Sequence, residues 1–152
     1  MSKLQIKSKA AINAPVNSIW AIITDINLLP RLNPGAVKAT GRMDKQGETR
    51  TVEINMNGRK GTFTEKLIEL MPEKRTVWTI EKDTMGMGKL LKDTRFVIHL
   101  EKLAENETMV THETYYQPVN FIAGIMSALM VKPAFRKMQE QILTGIKTLT
   151  EK

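Results

Sequence analysis

The sequence predicts an α+β fold, a curved seven-stranded antiparallel sheet with one long C-terminal helix across its concave side and two short helices after the first strand. Three observations predict it. Phe135, Met138, Ile142, Ile146 and Leu149 recur at steps of three and four, one apolar helical stripe that leaves Arg136, Lys137, Glu140, Lys147 and Glu151 to water. Phe121 to Val131 is apolar most of the way round, so that part of the helix needs cover on several sides. Nearly everything before Pro118 reads as short strands bounded by turn residues.

The elements follow in order. Leu4, Ile6, Ser8, Ala10 and Ile12 alternate with Gln5, Lys7 and Lys9, a half-buried first strand. Asn13-Ala14-Pro15 starts a helix, with Pro15 in its first turn. Its apolar face is Val16, Ile19, Trp20 and Ile23, and it ends near Asp25 to Asn27. Leu28 to Gly35, with two prolines and a glycine, admits only a loop or a very short second helix. Ala36 to Met43 and Glu48 to Met56 are the second and third strands. Asn57-Gly58 then makes a two-residue hairpin turn, since both positions require positive φ. That turn sets Met56 opposite Arg59, Ile54 opposite Gly61 and Val52 opposite Phe63. Phe63, Glu65 and Leu67 therefore share the inner face with Val52 and Ile54.

Met71-Pro72-Glu73-Lys74 turns the chain into a strand from Arg75 to Lys82, with Leu67 opposite Trp78 and Glu65 opposite Ile80. Asp83 to Leu91 is a flexible apolar loop around Met85-Gly86-Met87-Gly88. Lys92 to Lys102 carries Phe96, Ile98 and Leu100 on one face. The strand Thr108 to Gln117, registered with Leu103 opposite Thr108, sets His99 opposite His112 on the outer face. Met109, Thr111, Glu113 and Tyr115 then point inward. Pro133 removes a backbone donor inside the helical run, so a kink or break is expected there, with Val119 to Val131 as a lid.

Composition bounds the rest. At 152 residues the chain is one domain by size, 1–152, large enough for a real core. It has no cysteine, which excludes disulfides, thiol nucleophiles and cysteine metal sites. MSKLQIKSKA is polar and alternating, so no signal peptide is expected in it, and Phe121 to Val131 falls short of the ~20 residues that span a bilayer. A cytoplasmic location is the expectation. The formal net charge of +7 suits an anionic partner, yet the lysines are scattered and aromatics are few, so nucleic acid is not the expected partner.

The pattern resembles the START-like (SRPBCC) superfamily, the helix-grip fold of polyketide cyclase/dehydrase and lipid-transfer proteins. Ile12-Asn13-Ala14-Pro15-Val16 to Trp20, Pro30-Arg31-Leu32-Asn33-Pro34-Gly35, Phe63 to Arg75, and Ile122 to Ile146 with Pro133-Ala134-Phe135 carry the resemblance, which covers nearly the whole chain. Leu29 and Leu32 stand where relatives often have tryptophan, and Met71-Pro72-Glu73 where many have an acidic residue and two prolines. The resemblance implies an internal cavity rather than a particular reaction.

On that footing the expected function is binding or transport of a small hydrophobic or amphipathic molecule between sheet and helix. Val52, Ile54, Phe63 and Leu67 would line it from the third and fourth strands, and Trp78, Ile80, Phe96, Ile98 and Thr111 from the next three. Met126, Met130, Met138 and Ile142 would close it from the helix, methionine suiting varied apolar ligands. Glu65, Glu113 and Tyr115 would orient polar groups, or act as base and hydrogen-bond donor in a cyclase/dehydrase-like enzyme. A one-residue slip in either register would turn either carboxylate to solvent. The gap between Met85–Lys89 and Asn120–Val131 is the expected way in. Two histidines without a third ligand do not make a metal site, and neither metal nor cofactor is expected. A third reading is a basic interaction module for RNA, ribosome or anionic membrane. A monomer or homodimer fits any of these.

Overall fold

The computed structural model describes residues 2–56 and 58–151. Strand β1 (Lys3–Ile12) leads into helix α1 (Val16–Ile23), a 3-10 turn (Ile26–Leu28) and helix α2 (Leu29–Leu32). Strands β2 (Ala36–Gly41), β3 (Thr49–Met56), β4 (Arg59–Met71), β5 (Arg75–Asp83), β6 (Leu91–Ala104) and β7 (Glu107–Pro118) follow. A helical run then continues from Phe121 to Thr150: α3 (Phe121–Met126), a π turn (Ser127–Val131) and α4 (Lys132–Thr150). The strands form one antiparallel sheet in the order β1-β7-β6-β5-β4-β3-β2. This is the expected helix-grip architecture.

Pro15 caps α1 from outside at φ −65, ψ 151, rather than sitting in its first turn. Pro133 causes no break. It has no N–H to offer Leu129, and the chain widens into the π turn just ahead of it, which relieves that missing bond within a continuous helix. The C-terminal end is tied back where a Glu151 carboxylate oxygen accepts from the Asn13 N–H at 3.0 Å.

Helix α4 buries Phe135, Gln139, Ile142, Leu143 and Ile146. Ile142, Leu143 and Ile146 join Ile12, Ile19, Leu100 and Val110 in the main apolar core. Gly145 brings α2 against α4, since a Cβ there would come within 3.1 Å of the Leu32 Cα. Three smaller apolar clusters lie apart from the main one: around Phe135 and Tyr116, around Val52 and Phe63, and around Leu67 and Trp78. A domain of this size usually has one contiguous core. Buried polar side chains occupy the interior alongside these clusters: Ser8's partner Gln139, Thr76, Thr114, His112 and Glu65. Among the described residues no helix is long and apolar enough to cross a membrane.

Two registers decide which side chains face α4. Across the β3–β4 hairpin Val52 pairs with Phe63, Ile54 with Gly61 and Met56 with Arg59, the register the hairpin dipeptide dictates. Asn57 itself lies outside the described residues, and Gly58 has φ 85. Between β4 and β5 the turn pairs Met71 with Arg75, one step from expectation. A bulge between Leu67 and Glu69 then restores Leu67 opposite Trp78 and Glu65 opposite Ile80.

Between β6 and β7 Ala104 pairs with Glu107 as expected, but a bulge between Lys102 and Ala104 then shifts the register by one. Lys102 pairs with Thr108, His99 with Thr111 and Ile98 with His112. The expected pairing is therefore wrong by one residue, and every β7 side chain changes face. Thr108, Val110, His112, Thr114 and Tyr116 face inward, each 3% exposed or less. Thr111, Glu113 and Tyr115 lie on the convex side, and His112 is buried rather than exposed. A further bulge between Leu4 and Ile6 turns Leu4 to the convex side, where it pairs with Tyr115.

Candidate functional site

The inward-facing residues of the sequence reading fall into three groups. Val52, Ile54 and Phe63 form one buried cluster, against which Ile80 packs. Leu67 and Trp78 form another with Met43, and Phe96 packs on its edge. Ile98, Met138 and Ile142 belong to the main core under α4. The structure does not bring Met126 and Met130 to these groups: they are 39% and 67% exposed.

Glu65 stands between the first two clusters, and a residue the sequence reading passed over holds it. The Arg50 Nε donates to Glu65 Oε1 at 2.8 Å, with both side chains about 10% exposed or less (10% and 8%). The guanidinium carbon lies 3.7 Å from the centroid of the Trp78 ring, a cation–π contact. One Nη1 N–H points at the Met43 sulfur at 3.6 Å. A guanidinium has five N–H donors, so most of its donor capacity is uncommitted among the described residues. Arg50 could have been found in the sequence, since it lies two residues before Val52 on the same face.

His112 lies on the same concave face but on β7, four strands from Arg50 in the sheet order. It is fully enclosed, and its Nδ1 has no hydrogen-bond partner among the described residues. Burial, and then the Arg50 charge, push its pKa from 6.5 down to about 4, so the ring is neutral near pH 7. Ser8 and Ile98 flank it in register, and Thr76 lies beyond Ile98 in the same row. Next to that row Gln139 reaches from α4 into the sheet. Its Oε1 accepts from the Ser8 hydroxyl at 2.8 Å, and its Nε2 donates to Thr114 Oγ1 at 2.8 Å and to the Ile6 carbonyl at 3.2 Å. Its signal in the sequence is a glutamine four residues after Phe135, inside the apolar stripe.

Glu113 and Tyr115 form a separate group on the convex face. Glu113 Oε1 lies 3.0 Å from His99 Nε2 and accepts from the Tyr115 hydroxyl at 3.2 Å, while Lys7 Nζ approaches Oε2 at 4.0 Å. Burial, and then the Glu113 charge, raise the Tyr115 phenol above its ordinary pKa. These side chains lie across the sheet from α4 and cannot act on a molecule held beneath it.

Among the described residues the wider of two hollows lies away from the expected cavity between sheet and helix. An open groove of about 450 Å³ runs instead between α2 and α4, with Arg31, Leu32 and Pro34 on one wall and Lys137, Gln141 and Thr144 on the other. A smaller hollow of about 110 Å³ lies between β5 and the start of β6, near Ile80, Met87 and Thr94. At the expected way in the Val119 N–H donates to the Leu90 carbonyl at 2.9 Å and Met87 packs against two of the apolar clusters. No three His, Asp or Glu side chains converge among the described residues in a way that could hold a metal.

Comparison with known proteins agrees with this architecture. Zhui aromatase/cyclase from a Streptomyces species superposes with TM-score 0.79 at 12% identity, covering 97% of this chain and 93% of that one. Major latex-like protein 151 of Panax ginseng gives 0.78 at 11%, covering 97% of both chains. Truncated norcoclaurine synthase from Thalictrum flavum gives 0.75 at 17%, covering 98% and 93%. At these identities the likeness speaks for the fold alone. No curated protein sequence matches. The family model described as polyketide cyclase / dehydrase and lipid transport matches residues 3–151, and the chain belongs to that family.

Proposed function

We propose that this protein binds a small amphipathic molecule beneath the concave face of the sheet. The apolar part would lie among Phe63, Trp78, Ile80 and Phe96, and an oxygen-bearing end would meet Arg50. The observation that carries this reading is the buried Arg50–Glu65 pair stacked on Trp78, with the unpartnered Nδ1 of His112 farther along the same concave face. A guanidinium with spare donors in a dry interior recognises a carbonyl or carboxylate oxygen, and the neutral His112 ring offers one further hydrogen-bonding group, donor or acceptor according to its tautomer. Glu65 holds Arg50 in place; Glu113 and Tyr115 have no part in this site. Family membership supports ligand binding in general, and residues of this chain supply the polarity of the ligand.

An enzyme of the cyclase/dehydrase kind would use the same pair, His112 taking a proton and Arg50 steadying the oxygen of the resulting enolate. A general base works best with a pKa near the working pH. At about 4 the ring lies some three units below neutrality, which favours binding over proton transfer.

The test is native mass spectrometry of protein from its own host, followed by titration with an aromatic or long-chain carboxylate and its neutral amide. The variant is Arg50→Met with Glu65→Gln, which removes both charges and keeps the volume. The carboxylate should lose at least about tenfold in affinity, one charge-assisted contact, while the amide loses less. Equal affinity of variant and parent for the carboxylate would remove Arg50 from the site.

A further inference from the structure

The helical run that precedes α4 turns its apolar side outward. Phe121 is 82% exposed, Leu129 73%, Ile122 68% and Met130 67%, and Ile125 and Met126 are exposed as well. They recur at steps of four as two adjacent ridges, 121/125/129 and 122/126/130. The other side of the run is anchored. Asn120 Oδ1 accepts from the Ala123 N–H at 2.8 Å, Ala123 and Ser127 are buried, and the Tyr116 hydroxyl lies 3.2 Å from Ser127 Oγ. The outward stripe is thus set by the packing beneath it. A contiguous apolar surface of this kind on a folded chain marks a contact with something else.

Charge says what the contact is. No aspartate or glutamate occurs from Thr114 to Gln139, whereas Lys132, Arg136 and Lys137 do. The adjoining segment Thr84–Lys92 also lacks acids and adds Lys89 and Lys92, both exposed. It is held against the stripe by the Val119–Leu90 hydrogen bond and by the pairing of Lys92 with Gln117. Two acids flank that segment and both are engaged: Asp83 accepts from the Met87 and Gly88 N–H groups at 2.8 and 3.0 Å, and Asp93 from the Ser2 N–H at 2.9 Å and Arg95 at 3.0 Å. A second copy of this chain would bring the same cations against themselves. An anionic bilayer takes both features at once, apolar ridges at the acyl boundary and lysines among the phosphates.

We propose that Val119–Val131, with Lys89, Lys92 and Lys132, is a docking face for the surface of an anionic lipid bilayer. The proposal is independent of the interior site, because the stripe points away from Arg50 and its test uses no ligand.

The experiment is co-sedimentation of the full chain with phosphatidylcholine vesicles, with and without phosphatidylserine, at low and high salt. Two variants go beside it: Phe121→Ser/Ile122→Ser/Leu129→Ser and Lys89→Glu/Lys92→Glu, each checked for an unchanged melting curve. The parent should pellet with phosphatidylserine vesicles and stay in solution with pure phosphatidylcholine. Each variant should lose about tenfold or more in partitioning, and salt should weaken the parent. Should the serine variant fail to fold, the lysine variant alone decides. A parent that stays in solution with phosphatidylserine vesicles overturns the proposal, as does a folded serine variant that binds as well as the parent. So does a parent dimer that the serine substitutions dissolve without any vesicle binding, which would assign the stripe to a second copy.

Discussion

The two faces of the sheet carry polar groups built from the same parts and put to different uses. On the concave side the side chains of Glu65, Arg50 and His112 are almost wholly shielded from solvent. On the convex side Glu113 meets His99, Tyr115 and Lys7, whose side chains reach solvent: His99 is 35% and Lys7 51% exposed. A charge pair in a dry site is costly to break and strongly directional, whereas a solvated one contributes little. The contrast teaches that residue type alone does not make a site; which way one strand's alternation falls does.

The comparison is sharpest for the two carboxylates. Glu65→Gln strands the Arg50 guanidinium and should cost about 3–5 kcal/mol in urea unfolding, as breaking a buried pair does. Glu113→Gln should cost about 1 kcal/mol, its partners being partly hydrated. Equal costs would erase the distinction between the faces. The two histidines give the next effect. Unfolded His112 takes up a proton near pH 6.5 and folded His112 only near 4. Between those values the unfolded state binds more protons, so stability falls as the pH drops through that window, by up to about 3 kcal/mol for a shift of this size. His112→Gln should remove that part of the acid limb, and His99→Gln should leave it in place. A steep limb surviving in His112→Gln would place its origin elsewhere. The smallest effect concerns Tyr115. Its phenol should titrate above its ordinary value in the parent and move down in Glu113→Gln, followed by absorbance; Tyr115→Phe should cost about 0.5–1 kcal/mol. An unmoved phenol would detach Tyr115 from Glu113.

How much of this was legible in the sequence depended on turn chemistry. An Asn-Gly pair admits one tight hairpin, so the inward set Val52, Ile54, Phe63, Glu65 and Leu67 followed from two residues. Ala104 to Glu107 turns in the expected register, with Ala104 opposite Glu107, but a bulge between Lys102 and Ala104 that nothing in the sequence marks then shifts the pairing by one. That single step moved Thr111, Glu113 and Tyr115 to the far face and His112 to the near one. The Leu67–Glu69 bulge was equally invisible, yet it cancelled the error at the preceding turn. Arg50 was in plain alternation and passed over because an arginine on an apolar face reads as an exception. The outward stripe at Phe121–Met130 was legible as apolar, but apolar residues usually turn inward, and only the packing of Ala123 and Ser127 reveals the reverse.

Gln139 has a consequence for how the interior could ever admit a molecule. Its side chain plugs α4 into β1 and β7 through three hydrogen bonds. Raising the rod would leave each of those groups dry and unmatched, at about 1–3 kcal/mol apiece. Under the proposed binding, the rod would serve as the hinge post, and entry would fall to the opposite margin at the edge strand β2. A tether stapling β2 to α2 should block uptake, and one stapling α4 to β1 should not.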